Sequence, residues 1–242
     1  MIKVCLIGAS GKMGRAVIEE ANNHDDINIT NFIVHKNSKA LELDVGKFHF
    51  EKANNKIFTS SINHDFDCII DFATRNEIQD RISLYAKLKK PVLFCTTGLN
   101  GNELDEIKNL SQEIPIFIAS NTSLAIALMQ DLVQKVLNFD KSFKVKISEK
   151  HHESKLDKPS GTALSFAKFA NLEESEIESL REGEVGNWHK IQIFNDLEEL
   201  ELKHSASNGS IYAQGALNVV KWFYQKPKNL YYMQTLIEDL YE

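Results

Sequence analysis

The chain has 242 residues, 43% hydrophobic and 26% charged, with a formal net charge of −6. That balance fits a soluble globular protein of one large or two modest domains, and the negative charge argues against a general nucleic-acid binder. Cys5, Cys68 and Cys95 lie in apolar runs without metal-ligand spacing, which predicts buried, reduced thiols and a cytoplasmic protein.

In chain order, Ile2–Ile7 reads as a short apolar strand with no signal-peptide pattern, so no secretion signal is expected. Gly8–Gly14 follows as a glycine loop and Arg15–Asn22 as a helix. Strands are predicted over Ile27–His35, around Lys56–Thr59, and over Asp67–Phe72, Pro91–Cys95 and Ile114–Ala119. Helical spacing marks Glu77–Leu88 and Asn102–Leu110. This alternation predicts an α/β, Rossmann-like, doubly wound parallel sheet.

The pattern changes after Asn121, where a domain boundary is placed. Leu124–Leu137 is an amphipathic helix. Phe143, Val145 and Ile147 alternate with Lys144, Lys146 and Ser148 in a strand that runs into a loop. Ala163, Leu164, Phe166, Ala167 and Phe169 mark the helix that leaves the loop. Glu173–Glu184 is acidic and reads as surface. Ile191–Phe194 and Leu200–His204 read as strands of a second, partly antiparallel sheet, and Ala213–Tyr224 as a helix. The longest uncharged stretch, Ile114–Gln130, carries a proline, an asparagine and several hydroxyls, so no membrane span is expected.

Two loops carry chemistry. In the first, Gly8-Ala9-Ser10-Gly11-Lys12-Met13-Gly14, glycines allow backbone to approach a pyrophosphate while a helix N-terminus supplies N–H donors. The spacing is G-x-x-G-x-x-G, and Met13 after Gly11-Lys12 rules out a P-loop. The second predicted strand ends in Ile33-Val34-His35-Lys36, where an NAD-preferring site would place an acid. Lys36, with His35, suits a ribose 2′-phosphate, and the missing acid leans the cofactor toward NADPH, or toward weak discrimination between NADPH and NADH.

The second loop is Glu149-Lys150-His151-His152-Glu153-Ser154-Lys155-Leu156-Asp157-Lys158-Pro159-Ser160-Gly161-Thr162. His151 or His152 is a candidate general acid, and adjacent residues of an extended segment face opposite sides, so the two are expected to differ in role. Lys155 donates a proton or neutralises a carboxylate. Ser160-Gly161-Thr162 reads as a helix start whose N–H groups would grip a carboxylate. A zinc site is disfavoured, because neighbouring histidines chelate poorly and His189 and His204 lie far along the chain. A dinucleotide-sensing protein would need only the first loop. Another Rossmann dehydrogenase for small oxo or imino acids is disfavoured by the His-His-x-x-Lys spacing.

Nearly end to end, the chain resembles the 4-hydroxy-tetrahydrodipicolinate reductase (dihydrodipicolinate reductase) family. The second loop carries the most specific likeness. The Gly8–Gly14 loop, Asp71-Phe72, Thr96-Thr97-Gly98, Asn121 with Ser123, and His204 with Gly215-Ala216 fall in family order. The resemblance implies an NAD(P)H-dependent reductase of the diaminopimelate route to lysine, acting on a small dicarboxylate. It implies His151 as proton donor with Lys155, His152 as a substrate contact, and Gly161-Thr162 as the carboxylate turn, which Ser160 opens. It implies a cofactor lined by Gly8, Ala9, Ser10, Gly11, Lys12 and Met13, by Cys95, Thr96 and Thr97, and by Ala119, Ser120, Asn121 and Thr122. It also implies a dinucleotide-binding domain over 1–122 plus 210–242, and a domain over 123–209 that binds substrate and builds a homotetramer. No metal, membrane or nucleic-acid partner is implied. The chain departs from the family pattern at Thr122 (usually aromatic), at Ala125 and Cys95 (usually glycine), and at Ala206-Ser207-Asn208-Gly209, which lacks an arginine.

Overall fold

The computed structural model describes residues 1–63, 65–183 and 186–241. The chain forms two compact units: Met1–Thr122 with Tyr212–Asp239, and a second made mainly of Ser123–Ile211.

The first unit holds a seven-stranded sheet of β1 (Ile2–Ile7), β2 (Ile27–Ile33), β3 (Phe58–Thr59), β4 (Cys68–Asp71), β5 (Val92–Phe94), β6 (Ile116–Ile118) and β11 (Leu230–Tyr232). The order is β11-β6-β5-β4-β1-β2-β3, and the pairs are parallel. Strand order reverses between β1 and β4, which creates the crevice where doubly wound sheets bind nucleotides. All four residues of β4, Cys-Ile-Ile-Asp, are buried. The apolar run Cys68–Ile70 is what a sheet covered on both faces requires, and buried Asp71 closes the strand.

Helices α1 (Lys12–Ala21), α2 (Val45–Phe50), α3 (Ile78–Leu88), α4 (Gly101–Leu110), α7 (Ser210–Phe223) and α8 (Met233–Tyr241) complete the set around this sheet. In α3, Ile78, Ile82 and Tyr85 are buried at i, i+4 and i+7. Tyr85 and Arg81 each donate to Asp71 Oδ2 at 2.8 Å, which ties the helix to the end of β4. Asn100 and Glu103 form a capping box at the start of α4.

The second unit holds β7 (Lys144–His151), β8 (Ile177–Arg181), β9 (Asn187–Phe194) and β10 (Glu199–Ala206), in the order β10-β9-β7-β8. β7 pairs parallel with β8 and antiparallel with β9, and β9 pairs antiparallel with β10. Helices α5 (Leu124–Phe139) and α6 (Gly161–Ala170) pack against it. Ile126, Met129, Val133 and Phe166 of the helices meet Ile147, Ile191 and Ile193 of the strands in one core.

Several elements differ from the sequence expectation. α1 begins at Lys12, three residues early, because Gly11 already adopts the extended backbone of a helix cap. β2 ends at Ile33, so His35 and Lys36 lie beyond the strand. The acidic surface stretch contains β8, an edge strand whose backbone pairs with β7 while only Ile177 is buried. Glu184, at the end of that stretch, lies outside the described residues. α2, β11 and α8 were not anticipated. Among the described residues, no helix is long and apolar enough to cross a membrane.

Candidate active site

The first loop runs from β1 into α1. Gly8 has φ +78° and packs so closely that a Cβ there would lie 2.9 Å from the backbone of Phe72 and Ala73. Gly14, in the first turn of α1, would bring a Cβ within 2.5 Å of the carbonyl oxygens of Gly8 and Ala9. The loop and helix are thus pressed together in a way only glycine permits. No side chain caps α1, so its first N–H groups stay available to an anion. Ala9 is buried, and His49 of α2 reaches its carbonyl oxygen with Nε2 at 2.9 Å.

A cavity of about 950 Å³ opens at this end of the sheet, lined by Gly8, Ser10, Gly11, His35, Lys36 and Arg81 among others. Its size, the packed glycine loop and the uncapped helix fit a dinucleotide. His35 Nε2 faces Glu77 Oε1 at 3.1 Å, while its Nδ1 accepts from Asn37 N. Lys36 is exposed. Lys12 and Met13 lie in the first turn of α1, Lys12 exposed and Met13 half-buried.

The remaining expected cofactor residues follow the carboxyl ends of β5 and β6. Thr97 and Ser120 are exposed and Asn121 is half-buried, whereas Cys95, Thr96, Ala119 and Thr122 are buried. Thr96 Oγ1 donates to Ala73 O at 3.0 Å. Thr122 Oγ1 donates to Tyr212 O at 2.6 Å. Burial pushes the Cys95 thiol well above its ordinary pKa.

In the second unit, β7 ends at His151, and alternation along the strand puts Glu149 and His151 on one face. Both are buried, Glu149 completely. Glu149 Oε2 lies against His151 Nδ1, and Arg181 Nη1 donates to Glu149 Oε1 at 2.8 Å. Burial pushes the Glu149 pKa up, but the neighbouring His151 imidazole, the Arg181 guanidinium and the Ser179 hydroxyl outweigh it and hold the carboxyl well below the usual carboxylate range.

His189 of β9 sits directly across from Glu149 in the sheet register. Its ring stands edge-on to His151, 5.1 Å between centroids. Burial first, then the neighbouring His151, pushes the His189 pKa down to about 3.

The loop then turns. His152 is half-buried, with Nδ1 2.7 Å from Ser154 Oγ. Lys155 Nζ pairs with Asp157 Oδ1 at 2.8 Å. Ser160 caps α6: its Oγ accepts from Ala163 N at 3.2 Å and lies 3.1 Å from His189 Nε2. Its amide points at Glu149 Oε1, at 3.4 Å. Gly161 opens the helix, and a Cβ there would meet no atom within 4 Å. Thr162 follows, half-buried.

The structure therefore gathers His151, Ser160 and the start of α6 about one buried carboxylate, and keeps His152 and Lys155 on the loop between them. Ser160 serves the scaffold with its hydroxyl. Glu149, Arg181 and His189 were missed as site residues. The sequence signal for Glu149 was its i, i+2 spacing to His151, whereas Arg181 and His189 arrive only through strand register. Of the two histidines far along the chain, His189 does converge on the loop: oxygen and nitrogen atoms of Glu149, His151 and His189 lie within 4.8 Å of one another. The guanidinium of Arg181 on the same carboxylate opposes a second cation there. His204, opposite His189 across the β9–β10 pair, is likewise shifted down by burial.

Comparison with known proteins places the chain. The profile described as "Dihydrodipicolinate reductase, N-terminus" matches residues 2–122, and "Dihydrodipicolinate reductase, C-terminus" matches residues 125–237. The 4-hydroxy-tetrahydrodipicolinate reductase of Sulfurimonas denitrificans is 30% identical, over 98% of this chain and 100% of its own length. That of a Wolbachia from Brugia malayi is 31% identical, over 98% and 99%. Among solved structures, a dipicolinate-bound dihydrodipicolinate reductase from a Paenisporosarcina species superposes with a TM-score of 0.78 at 20% identity, covering 96% of this chain and 97% of that one. At that identity the superposition speaks for the fold.

Proposed function

We propose that this chain, which belongs to the dihydrodipicolinate reductase family, is an NAD(P)H-dependent 4-hydroxy-tetrahydrodipicolinate reductase of the diaminopimelate route to lysine. One observation carries the reading. A buried imidazole at the end of β7, a lysine, and a helix start with clear space in front of its glycine follow one another in a single loop.

The substrate of this reaction is a cyclic imine dicarboxylate. One carboxylate docks on the N–H groups of Gly161 and Thr162, where the α6 dipole favours an anion by about 0.3–1 kcal/mol, rising to ~2 kcal/mol in partly buried geometry. His152 contacts the bound acid from the same loop. Lys155 reaches the substrate by exchanging the Asp157 carboxylate for it. Loss of water from the ring leaves a C=C bond conjugated with the C=N bond, and NAD(P)H, held by the first unit, would supply the hydride to the far carbon of that conjugated system. The enamine-like product of hydride addition then takes a proton from His151, with Lys155 assisting. Positioned acid catalysis of this kind contributes about 10²–10⁴-fold.

In the first unit, the N–H groups of the Gly8–Gly14 loop and α1 bind the pyrophosphate. Cys95–Thr97 and Ala119–Thr122 line the cofactor largely through backbone, given how many of their side chains are buried. With no acid after β2, Lys36 and His35 favour the 2′-phosphate of NADPH. We assign the protein to the cytoplasm and its second unit to homotetramer formation.

The test is a coupled assay. Substrate is made in situ from pyruvate and aspartate semialdehyde by the preceding synthase, and oxidation of NADPH and NADH is followed separately. Rapid, substrate-dependent oxidation, faster with NADPH, is the expected result. A folded protein that binds dinucleotide but oxidises neither cofactor would overturn the reading in favour of a nucleotide sensor.

A further inference from the structure

We propose that Glu149 and Arg181 are positioning residues for proton transfer: the Glu149 carboxylate holds His151 with its proton on Nδ1, which makes Nε2 the nitrogen that serves the substrate, and Arg181 fixes that carboxylate. The inference rests on the assignment of His151 as proton donor.

The geometry is specific. Glu149 Oε2 lies against His151 Nδ1. A carboxylate is an acceptor only, so the nitrogen facing it must carry hydrogen. Nε2 is then the only ring nitrogen left to exchange a proton with anything else. The other carboxylate oxygen, Oε1, takes Arg181 Nη1 at 2.8 Å and faces the Ser160 amide at 3.4 Å. Arg181 is itself held, through Nη1 to Leu180 O at 2.7 Å and through Nη2 to Asp157 O. It sits opposite His151 in the parallel β7–β8 register. The carboxylate thus has one oxygen for the imidazole and one for the guanidinium, and neither is free to rotate.

Glu149 is fully buried, and an unpaired buried carboxylate would be costly. Arg181 pairs it permanently, so Glu149 stays ionised whether His151 carries one proton or two. Without Arg181, the carboxylate would depend on imidazolium for its partner and would oppose proton release. With Arg181, the cluster is neutral after His151 has given up its proton. His189, whose Nε2 is on Ser160 Oγ and whose ring stands edge-on to His151, is held neutral by burial and adds no charge to the cluster.

The experiment combines a readout that needs no turnover with one that does. In full-length protein labelled with ¹⁵N-histidine, long-range ¹H–¹⁵N spectra assign the His151 tautomer, with His151→Gln to identify its signals. With the imidazole brought to its neutral form at high pH, the state left after proton donation, the expected result is Nδ1–H and a bare Nε2 in the wild type, and a mixture of tautomers in Glu149→Gln. In the coupled assay, Glu149→Gln should lower kcat by about 10²–10³-fold with substrate KM changed less than about threefold, and its solvent deuterium isotope effect should rise. Arg181→Met should lower kcat in the same way, and Arg181→Lys should recover part of it. An Nε2–H tautomer in the wild type would overturn the proposal, as would unchanged kcat in a folded Glu149→Gln. A wild type that shows the expected tautomer yet never turns over would instead remove the reductase reading and leave the positioning geometry standing. If Glu149→Gln fails to fold, Arg181→Lys against Arg181→Met carries the decision.

Discussion

Two of the helices with a glycine in the first turn, α1 in the first unit and α6 in the second, hold it in contrasting surroundings. In α1, a Cβ on Gly14 would lie 2.5 Å from two backbone oxygens. In α6, a Cβ on Gly161 would meet no atom within 4 Å, and the residue has no positive φ to require glycine. The first glycine is demanded by the chain's own packing. The second is not. The open space leaves room for a carboxylate to reach the N–H groups there, although Gly101, which opens α4 with equally clear space, shows that such a glycine does not by itself call for a ligand. The surroundings differ in kind too. The α1 end offers backbone donors beside a large cavity, whereas the α6 end is braced by an interlocked set of buried charged side chains.

This contrast orders the expected effects. Gly14→Ala should be the most damaging: it forces backbone apart, lowering stability by about 2–4 kcal/mol and dinucleotide affinity by more than about 100-fold. Chemical denaturation and fluorescence titration with NADPH check it. Gly161→Ala should leave stability unchanged or raise it by about 0.5 kcal/mol, while raising substrate KM about tenfold. Unchanged KM in that variant would break the comparison, because the space would then serve no ligand. Lys36→Ala should raise the KM for NADPH about fivefold and leave that for NADH nearly unchanged, in line with a single exposed cation acting on a phosphate.

The smallest effect at neutral pH concerns His189. The folded protein keeps it neutral down to about 3, while the unfolded chain protonates it near 6.5. Between those values the unfolded state binds more protons, so stability is full above 6.5 and falls as pH drops through the window. Glu149 adds to the loss in acid, since below the ordinary 4.5 the unfolded chain takes up its proton while the folded carboxyl, held lower, stays ionised. His189→Gln should flatten the fall between pH 6.5 and 3, as read by denaturant midpoints at several pH values.

What the sequence made legible follows the same division. The glycine loop is local: strand, turn and helix are consecutive, so residues 2–21 announce their shape and their anion-binding end. The strand–helix alternation through Ile118 was readable for the same reason, because buried parallel strands are short apolar runs. β8 was hidden because an edge strand needs little apolar surface, and its acidic residues read as exposed. α2, with six residues, is too short to show a period. At the β7–α6 loop, His151, Lys155 and the Ser160 cap were evident in one stretch. Arg181 and His189 were not, since only the pairing of β7 with β8 and β9 brings them to Glu149. A lone arginine and a lone histidine in alternating strands carry no local mark of that meeting.

The central claim is that His151 delivers the proton in a reaction driven by bound NAD(P)H. The most direct test is His151→Gln in the coupled assay, with dinucleotide affinity measured on the same preparation. The account predicts kcat reduced by about 10²–10⁴-fold, with dinucleotide affinity and substrate KM within about threefold of the wild type. Near-normal turnover in this variant would contradict the account and take His151 out of the mechanism.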